Sequence, residues 1–239
     1  MLQQLSPSVY WWSELHGAAR NQPYYWNSYL IHVKKANVLA LVDPLPLSVE
    51  EIQEIEALGP PTHILLTCYY HLRESETYRQ KWGCPIYLHQ VGLEEAEVSI
   101  DRTFQDGESL WNAVDLIHLP DVVSYPEETV FLVREGGGVL IIGDALSGGR
   151  PDRGILDGEL GISFPEYVTN PQKARQSLSK LLEYSFEVMC FGHGSPIFTD
   201  PQEALRRFLD RADFWNPLLQ CTGEQNYSLM QCGGRLRLT

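Results

Sequence analysis

Short apolar runs, each closed by a turn residue, constrain the fold of this chain more than any other feature of its sequence. Val38–Val42 is one such run, and the strand it predicts must stop at Pro44, which has no amide hydrogen to donate to a sheet. Ile64–Leu66, Val139–Ile142 and Phe186–Phe191 are similar, and continuous runs of this length are typical of strands buried on both faces. Since helix-length segments separate several of them, the sequence predicts an α/β domain.

Start signals for helices lie between these runs. Ser48 is followed by Glu50 and Glu51, a pattern that caps a helix and places acidic groups at its positive end. Asn170-Pro171 combines a capping residue with proline at the first helical position. The predicted helices run from Ser48 to Gly59, from Ser75 through Trp82, over Pro171–Tyr184 and from Pro201 to about Phe214.

Charge and cysteine content narrow the class of protein. The chain has 18 basic and 31 acidic residues, and its net charge of −13 repels nucleic acids and anionic membranes, so we expect neither as a partner. Five cysteines without a C-x-x-C pair favour neither a disulfide framework nor a zinc ribbon. The sequence shows no apolar stretch long enough to span a bilayer and no signal peptide, so we expect a cytoplasmic protein.

The chain reads as one domain with a tail. Its 239 residues are enough for one large core, and no repeat, low-complexity tract or linker divides them. We therefore expect a single domain over residues 1–217. The C-terminal tail over residues 218–239 contains Cys221 and Cys232 and has no clear periodicity.

Polar residues follow three of the predicted strands directly. They are Cys68–Glu74, Gly143-Asp144 and Gly192-His193-Gly194. Ligands bind at strand ends in open α/β sheets, because the loops there vary without disturbing the core. We expect the three segments to converge on one pocket, whose candidate residues are Cys68, Tyr70, His71, Arg73, Glu74, Asp144 and His193.

The order of these segments resembles the metallo-β-lactamase fold family over most of the chain. The landmarks are Leu41-Val42-Asp43, residues 62–67, Ile142-Gly143-Asp144-Ala145 and Phe191-Gly192-His193-Gly194. None of the four is specific alone, but their order and spacing together are typical of the family. The resemblance implies a four-layer αββα sandwich, in which two mixed sheets pack face to face with helices on the outside.

The metal-binding signature of the family is degraded in this sequence. Active members have His-x-His-x-Asp-His after the threonine and a later Pro-Gly-His, and together with further His and Asp residues these bind two metal ions. The matching positions are occupied by Cys68, Tyr70, Leu72 and Arg73 in the first motif and by Pro120-Asp121-Val122 in the second, and only Asp144 and His193 remain at ligand positions.

We expect no dinuclear metal centre at these positions. Catalytic zinc needs about three protein ligands and an open position for water, and Leu72 and Val122 have no lone pair to donate. The fixed positive charge of Arg73 repels a divalent ion. A guanidinium can instead satisfy a buried carboxylate through two parallel hydrogen bonds, so we predict an Arg73–Asp144 ion pair in place of the metal ions.

One divergent branch of the family is similar to this chain in the same region. In that branch the metal motif is replaced by a segment like Thr-Asn-x-His-His-x-Arg-Asp, and residues 67–74 are similar to it, with His71, Arg73 and an acid retained. Residues 124–127, Ser-Tyr-Pro-Glu, are similar to a Ser-Pro-Gly-Glu segment that replaces the metal-binding loop. The chain differs even from this branch at Cys68 and Tyr70.

Several roles stay open for individual residues. Cys68 is either a thiolate that ligates or reacts, activated by Arg73 and His71, or a small buried residue at a strand end. His71 is either a ligand or base, or a hydrogen-bonded pocket histidine. The alternative to a metal-free site is a single zinc, iron or manganese ion, with Asp144, His193, Cys68 and His71 as its ligands.

Three functions follow from these alternatives. The first is a non-hydrolytic binding or interaction role, with a small molecule or a protein as partner, and a homodimer is compatible with it. The second is a metal-dependent hydrolase of an ester, thioester or amide at an altered mononuclear site. The third is metal-free thiol chemistry at Cys68. Aromatic residues suited to a ligand cleft or a contact surface lie near the N-terminus, namely Trp11, Trp12, Tyr24, Tyr25 and Trp26.

Overall fold

The computed structural model describes residues 2–16, 24–123 and 128–215 of the chain. The predicted tail and the Ser-Tyr-Pro-Glu segment at 124–127 lie outside these residues. The strands are β1 (Gln3–Ser6), β2 (Val9–His16), β3 (Tyr24–Val33), β4 (Val38–Val42), β5 (His63–Leu65), β6 (Ile86–His89), β7 (Arg102–Phe104), β8 (Ser109–Leu110), β9 (Val114–Leu119), β10 (Glu128–Val133), β11 (Val139–Ile142) and β12 (Val188–Phe191). The longer helices are α1 (Val49–Leu58), α2 (Ser75–Trp82), α3 (Pro171–Ser179) and α4 (Pro201–Leu209).

The strands form two mixed sheets. The first has the order β1-β2-β3-β4-β5-β6-β7, antiparallel up to β4 and parallel from β4 to β7. The second has the order β12-β11-β10-β9-β8, in which only β11 and β12 are parallel. Each sheet therefore has neighbouring strands whose carboxyl ends point the same way.

Alternation of side chains along the strands divides the apolar residues among three cores. Tyr29 of β3 shares the central core with Phe131 of β10 and Ile141 of β11. The residues adjacent to these point outward. Leu30, which follows Tyr29, packs in an outer core with α1 and α2. Leu140, which precedes Ile141, packs in another outer core with α3 and α4. Because a strand turns successive side chains to opposite faces, the result is the expected αββα sandwich.

The capping signals at the amino ends of the helices are confirmed. The Ser48 hydroxyl accepts a hydrogen bond from the Glu51 amide (3.2 Å), and the Glu51 carboxylate accepts one from the Ser48 amide (2.9 Å). This reciprocal pair satisfies two amides that a helix start leaves free. The Asn170 side chain caps α3 in the same sense, by accepting from the Lys173 amide (3.0 Å).

The carboxyl ends of the last two helices differ from the prediction. The α-helical part of α3 ends at Ser179 and continues as a 3₁₀ helix to Glu183. The fourth helix, α4, ends at Leu209, where the Trp215 indole donates to the carbonyl oxygen of Phe208 (3.1 Å) and helps satisfy a carbonyl at the helix end. Within the described ranges, none of the helices is long and apolar enough to cross a membrane.

The sequence analysis did not predict the first two strands, β1 and β2. Strand β2 pairs with β3 along its whole length. Trp12 is buried in the outer core, whereas Leu15 and Tyr25, which face each other across the pair, are exposed. Because burial along β2 does not alternate regularly, hydrophobic periodicity alone does not reveal this strand.

The carboxyl ends of β4, β5, β11 and β12 meet at one side of the sandwich. We call this side the loop edge and define it as residues 43–45, 66–74, 143–150 and 192–195. Backbone hydrogen bonds join the two sheets there, from the Asn27 amide to the Gly192 carbonyl (2.9 Å) and from the Thr129 amide to the Thr67 carbonyl (2.8 Å). The Gly192 amide also donates to the Gly143 carbonyl (3.0 Å), so the backbone joins two of the three segments that we expected to converge.

Candidate functional site

Asp43 forms the base of the candidate site. It follows β4 with a φ of 46°, a left-handed conformation that is uncommon for a residue with a side chain. Its Oδ1 accepts a hydrogen bond from the Thr67 amide (2.8 Å), and its Oδ2 accepts one from the Thr67 hydroxyl (2.6 Å). The Asp43 carboxylate therefore fixes the start of the loop that follows β5.

His71 lies between two carboxylates. Its Nδ1 is 2.9 Å from Oδ2 of Asp43, and its Nε2 is 3.4 Å from Oδ2 of Asp144. All three side chains are buried. Burial lowers the pKa of His71, as does the charge of Arg73, but negative charge on Cys68, Asp144 and Asp43 outweighs both and raises this pKa well above its usual value.

The negative groups that favour a protonated His71 ring are the two carboxylates and not the Cys68 thiol. Burial raises the pKa of Cys68, so its thiol is neutral near pH 7. The remaining negative groups that face the ring are Asp43 and Asp144, each opposite one ring nitrogen, an arrangement that favours the protonated ring.

Asp144 also contacts His193. Its Oδ1 lies 3.0 Å from Nε2 of His193, although the direction is not that of a well-aligned hydrogen bond. Burial would raise the pKa of Asp144, but His71 and His193 hold it well below its usual value. Burial lowers the pKa of His193 despite the charge of Asp144, and its Nδ1 lies 3.2 Å from the Tyr25 carbonyl oxygen, which fits a donor at that nitrogen.

Glu128 holds the turn that carries Asp144. Its carboxylate accepts hydrogen bonds from three successive amides, those of Gly143 (2.8 Å), Asp144 and Ala145 (2.7 Å). Burial, with the charge of Asp144, raises the pKa of Glu128 to about 8. Glycine is required at position 143, because a Cβ there would lie 2.5 Å from the Thr67 hydroxyl oxygen.

Arg73 is directed toward the first sheet. Its backbone has a φ of 41°, and its Nη1 donates to the carbonyl oxygens of Asn27 and Asp43, both at 2.9 Å. Its guanidinium lies 5.0 Å from the centre of the Trp26 ring. The side chain therefore ties the strand end at Asp43 to β3.

The predicted Arg73–Asp144 ion pair is wrong. His71 and His193 contact Asp144 instead. The left-handed backbone at Arg73 turns its side chain over β3, where two backbone carbonyls accept its protons. The His71 ring thereby takes the place that the prediction gave to the guanidinium.

The remaining candidates divide between the interior and the surface. Cys68 is buried beside His71, whose charge acts on its thiol. Tyr70 is 57% exposed and stacks beside Tyr69 with 4.4 Å between ring centres. Glu74 occupies the N-cap position of α2 without a side-chain capping bond. The structure thus brings Cys68 and His71 to the carboxylate cluster and leaves Tyr70 and Glu74 outside it.

A second layer covers His193. The rings of Tyr24 and Phe164 each lie 5.3 Å from the His193 ring, centre to centre. The Arg150 guanidinium lies 4.7 Å from the Tyr24 ring and 5.9 Å from the Phe164 ring. We call these four residues the aromatic box. Of the aromatic residues near the N-terminus, Tyr24 and Trp26 thus border the site, whereas Trp12 is part of a core.

Two residues of the site were missed by sequence reasoning. Asp43 directly follows an apolar strand, which is the same signal that identified Asp144. Glu128 is an acidic residue at the start of the apolar run Thr129–Val133, and an acid in that position requires buried partners. Both signals were present in the sequence.

The side chains at the loop edge do not fit the family's dinuclear metal centre. Among the residues that the structure describes, no group of three or more His, Cys, Asp or Glu is arranged to hold a metal ion. His71 would have to lose a proton before it could ligate an ion. Leu72, Arg73 and Val122, which the sequence resemblance aligns with ligand positions, offer no lone pair.

Comparison with known proteins identifies the family. A sequence model described as "Metallo-beta-lactamase superfamily" matches residues 1–211, while no curated protein matches the chain. Similar solved structures include a metallo-beta-lactamase from Pontibacter korlensis, with 12% identity, a TM-score of 0.66 and coverage of 88% of this chain and 99% of that one. A metallo-beta-lactamase from Hirschia baltica has 13% identity, a TM-score of 0.62 and coverages of 87% and 97%. A variant flavo di-iron protein from Thermotoga maritima has 17% identity, a TM-score of 0.65 and coverages of 87% and 60%, and at such identities the likeness shows the fold alone.

Proposed function

Because the chain belongs to the metallo-beta-lactamase superfamily, we propose that it is a metal-free member with a non-hydrolytic binding role. The observation that carries the proposal is the His71 ring between Asp43 and Asp144. Its positive charge compensates the two buried carboxylates, a task that metal ions perform in active members of the family. The hydrogen-bonded cluster thus keeps the shape of the loop edge without a metal.

The raised pKa values of His71 and Cys68 also favour binding over hydrolysis at these two residues. A general base must be able to accept a proton near the working pH, and the raised pKa of His71 opposes that role for its ring. A cysteine nucleophile must be a thiolate that substrate can reach, but Cys68 is 3% exposed and burial raises its pKa.

Stored strain supports a ligand-binding role over a purely structural one. Asp43 and Arg73 both have left-handed backbones, at φ values of 46° and 41°. Each such residue costs about 1–3 kcal/mol, and this kind of strain concentrates at ligand and active sites. A chain that needed only a stable core would do better with apolar residues than with buried charges.

An altered mononuclear hydrolase site is the second candidate, and one observation favours it. Nδ1 of each histidine lies near an oxygen, Asp43 for His71 and the Tyr25 carbonyl for His193, while both Nε2 atoms face Asp144. Histidines that ligate metal ions are anchored through the other ring nitrogen in this way. The raised pKa of His71 opposes this candidate, because a proton would compete with the metal ion.

Metal analysis of the full chain separates the two candidates. The protein is produced in medium supplemented with zinc, iron and manganese and measured by mass spectrometry, beside Asp144→Ala and the exposed control Asp210→Ala. We expect far less than one equivalent of any of the three metals in every sample. A stoichiometric metal that is lost in Asp144→Ala and kept in Asp210→Ala would refute the proposal in favour of the hydrolase.

Activity assays complete the test. A nitrophenyl ester, a thioester and a β-lactam amide are incubated with the protein before and after treatment with a chelator. We expect no turnover above the rate without protein. Turnover that Asp144→Ala abolishes would contradict the non-hydrolytic role.

A further inference from the structure

Arg150 has a buried donor without a partner. Its side chain is 3% exposed, and its Nε and Nη2 donate to the Asp152 carboxylate at 3.2 and 2.6 Å. Its Nη1 is buried and has no hydrogen-bond acceptor among the residues that the structure describes. An unpaired buried donor is costly, and more so on a charged group. Such a group in a native protein requires an explanation.

The loop that carries Arg150 is tightly built, so a loose conformation does not account for the unpaired atom. The Arg150 amide donates to the Ile155 carbonyl (2.8 Å), and the Ile155 amide donates back to the Arg150 carbonyl (3.0 Å). At Gly149 a Cβ would lie 2.3 Å from the Asp157 carboxylate. The backbone that carries Arg150 is therefore fixed, and the bonds to Asp152 hold the guanidinium beside the rings.

A second guanidinium lies close by. Tyr24 and Trp26 are two residues apart in β3, so their side chains share one face of the sheet. Arg150 lies over the first ring and Arg73 over the second. Only Nη1 of Arg73 has acceptors among the described residues, which leaves its other nitrogens available. The charges of both arginines also contribute to the lowered pKa of His193.

We propose that Arg73 and the aromatic box, which includes Arg150, bind the oxyanion group of a small organic molecule, a carboxylate or a phosphate. The fork of a guanidinium matches either group through paired hydrogen bonds. The aromatic rings hold the arginines in place and offer flat surfaces to the body of the ligand. This inference rests on the proposed binding role and specifies its ligand class.

The charge balance of the region agrees with an anionic ligand. Asp152 occupies one edge of the Arg150 guanidinium and leaves the other edge without an acceptor. Asp152 offsets the charge of Arg150, and Asp144 lies against the two histidines, whereas the acceptors of Arg73 among the described residues are backbone carbonyl oxygens. The charge of Arg73 therefore remains to attract an anion.

Calorimetric titration of the full chain, stripped of metal by a chelator, tests the inference. The probes are inorganic phosphate for the phosphate source and benzoate for the carboxylate source. We expect saturable binding of at least one probe, weakened by about tenfold or more in Arg150→Gln, since a hydrogen bond to a charged group is lost. Arg153→Gln is the matched control, because Arg153 lies over the same Phe164 ring but is half exposed and paired with Glu166.

The outcomes of the titration either support or overturn the anion site. Binding of phosphate alone or of benzoate alone identifies the source, and binding of both supports the shared chemistry. Absence of saturable binding for both probes, or equal binding by Arg150→Gln and wild type, would overturn the inference. If Arg150→Gln does not fold, Arg150→Lys keeps the charge without the fork and is expected to bind more weakly than wild type, and equal affinity would overturn the inference.

The same titration separates failure of this inference from failure of the proposed function. The titration is repeated on protein before chelation and on stripped protein with zinc added back, and probe binding in those two samples alone would show an anion held by a metal ion and would refute both. A metal-free protein that binds neither probe refutes the anion site and leaves the metal-free binding role intact.

Discussion

Replacement of Asp144 by asparagine removes the one carboxylate that His71 and His193 share while keeping the size of the side chain. Asp144 and both histidines have side chains that are no more than 7% exposed. Loss of one partner from a buried ion pair costs about 3–5 kcal/mol. In a domain of about 150–250 residues, each kcal/mol lowers the melting temperature by about 2–4 °C, so we expect Asp144→Asn to lower it by roughly 6–20 °C.

The measurement is differential scanning calorimetry at neutral pH, with Asp210→Asn as the control at an exposed position. A nuclear magnetic resonance titration of His71 supplies a second readout, because loss of the Asp144 charge lowers the pKa of this ring. If Asp144→Asn had the same melting temperature as the control and left the His71 titration unchanged, the ion pairs would not organise the site. The reasoning from burial and distance would then be refuted.

Three further predictions concern pH, the thiol and the turn at the loop edge. The pKa values of His71 and Glu128 are both raised by folding, so the stability that they contribute is lost as pH rises from the unfolded-state values through the native values. Urea unfolding should show this contribution falling from about pH 5 through about pH 8, the native pKa of Glu128, and falling further as His71 loses its proton. The fall should be less steep in His71→Asn, and a flat profile would contradict this reasoning. Cys68 should resist iodoacetamide in the native protein near pH 7 and react only after unfolding, and selective native labelling would point to thiol chemistry instead. Gly143→Ala should lose about 1–3 kcal/mol in the same urea assay, because its Cβ would collide with the Thr67 hydroxyl, and unchanged stability would show that the turn can shift.

Much of the fold could be predicted because its strands are short, apolar and sharply bounded. Val38–Val42 and Val139–Ile142 were predicted with the boundaries that the structure has, since Pro44 and the glycines at 136–138 limit them. Strand β2 could not be predicted, because its burial depends on the sheet partner rather than on its own pattern.

The location of the site could be predicted from the sequence, but the side chain that contacts Asp144 could not. Asp144 and His193 follow strands whose ends converge, so their neighbourhood could be inferred from topology. The partner of Asp144 depends on the backbone conformation of Arg73. No residue pattern predicts that this backbone is left-handed. Asp43 could have been recognised by the rule that found Asp144, and Glu128 by its place before an apolar run.

The amino-terminal half of β3 depends on residues that the ribosome makes much later. The Asn27 side chain donates to the carbonyl oxygens of Phe191 and Gly194, and the first of these contacts spans 164 positions. Until β12 emerges, this strand edge is open to other nascent chains, and contacts of such separation slow folding. A chain halted before β12 therefore lacks His193 and the strand that covers this edge, and its unpaired edge makes it a substrate for chaperones or for aggregation.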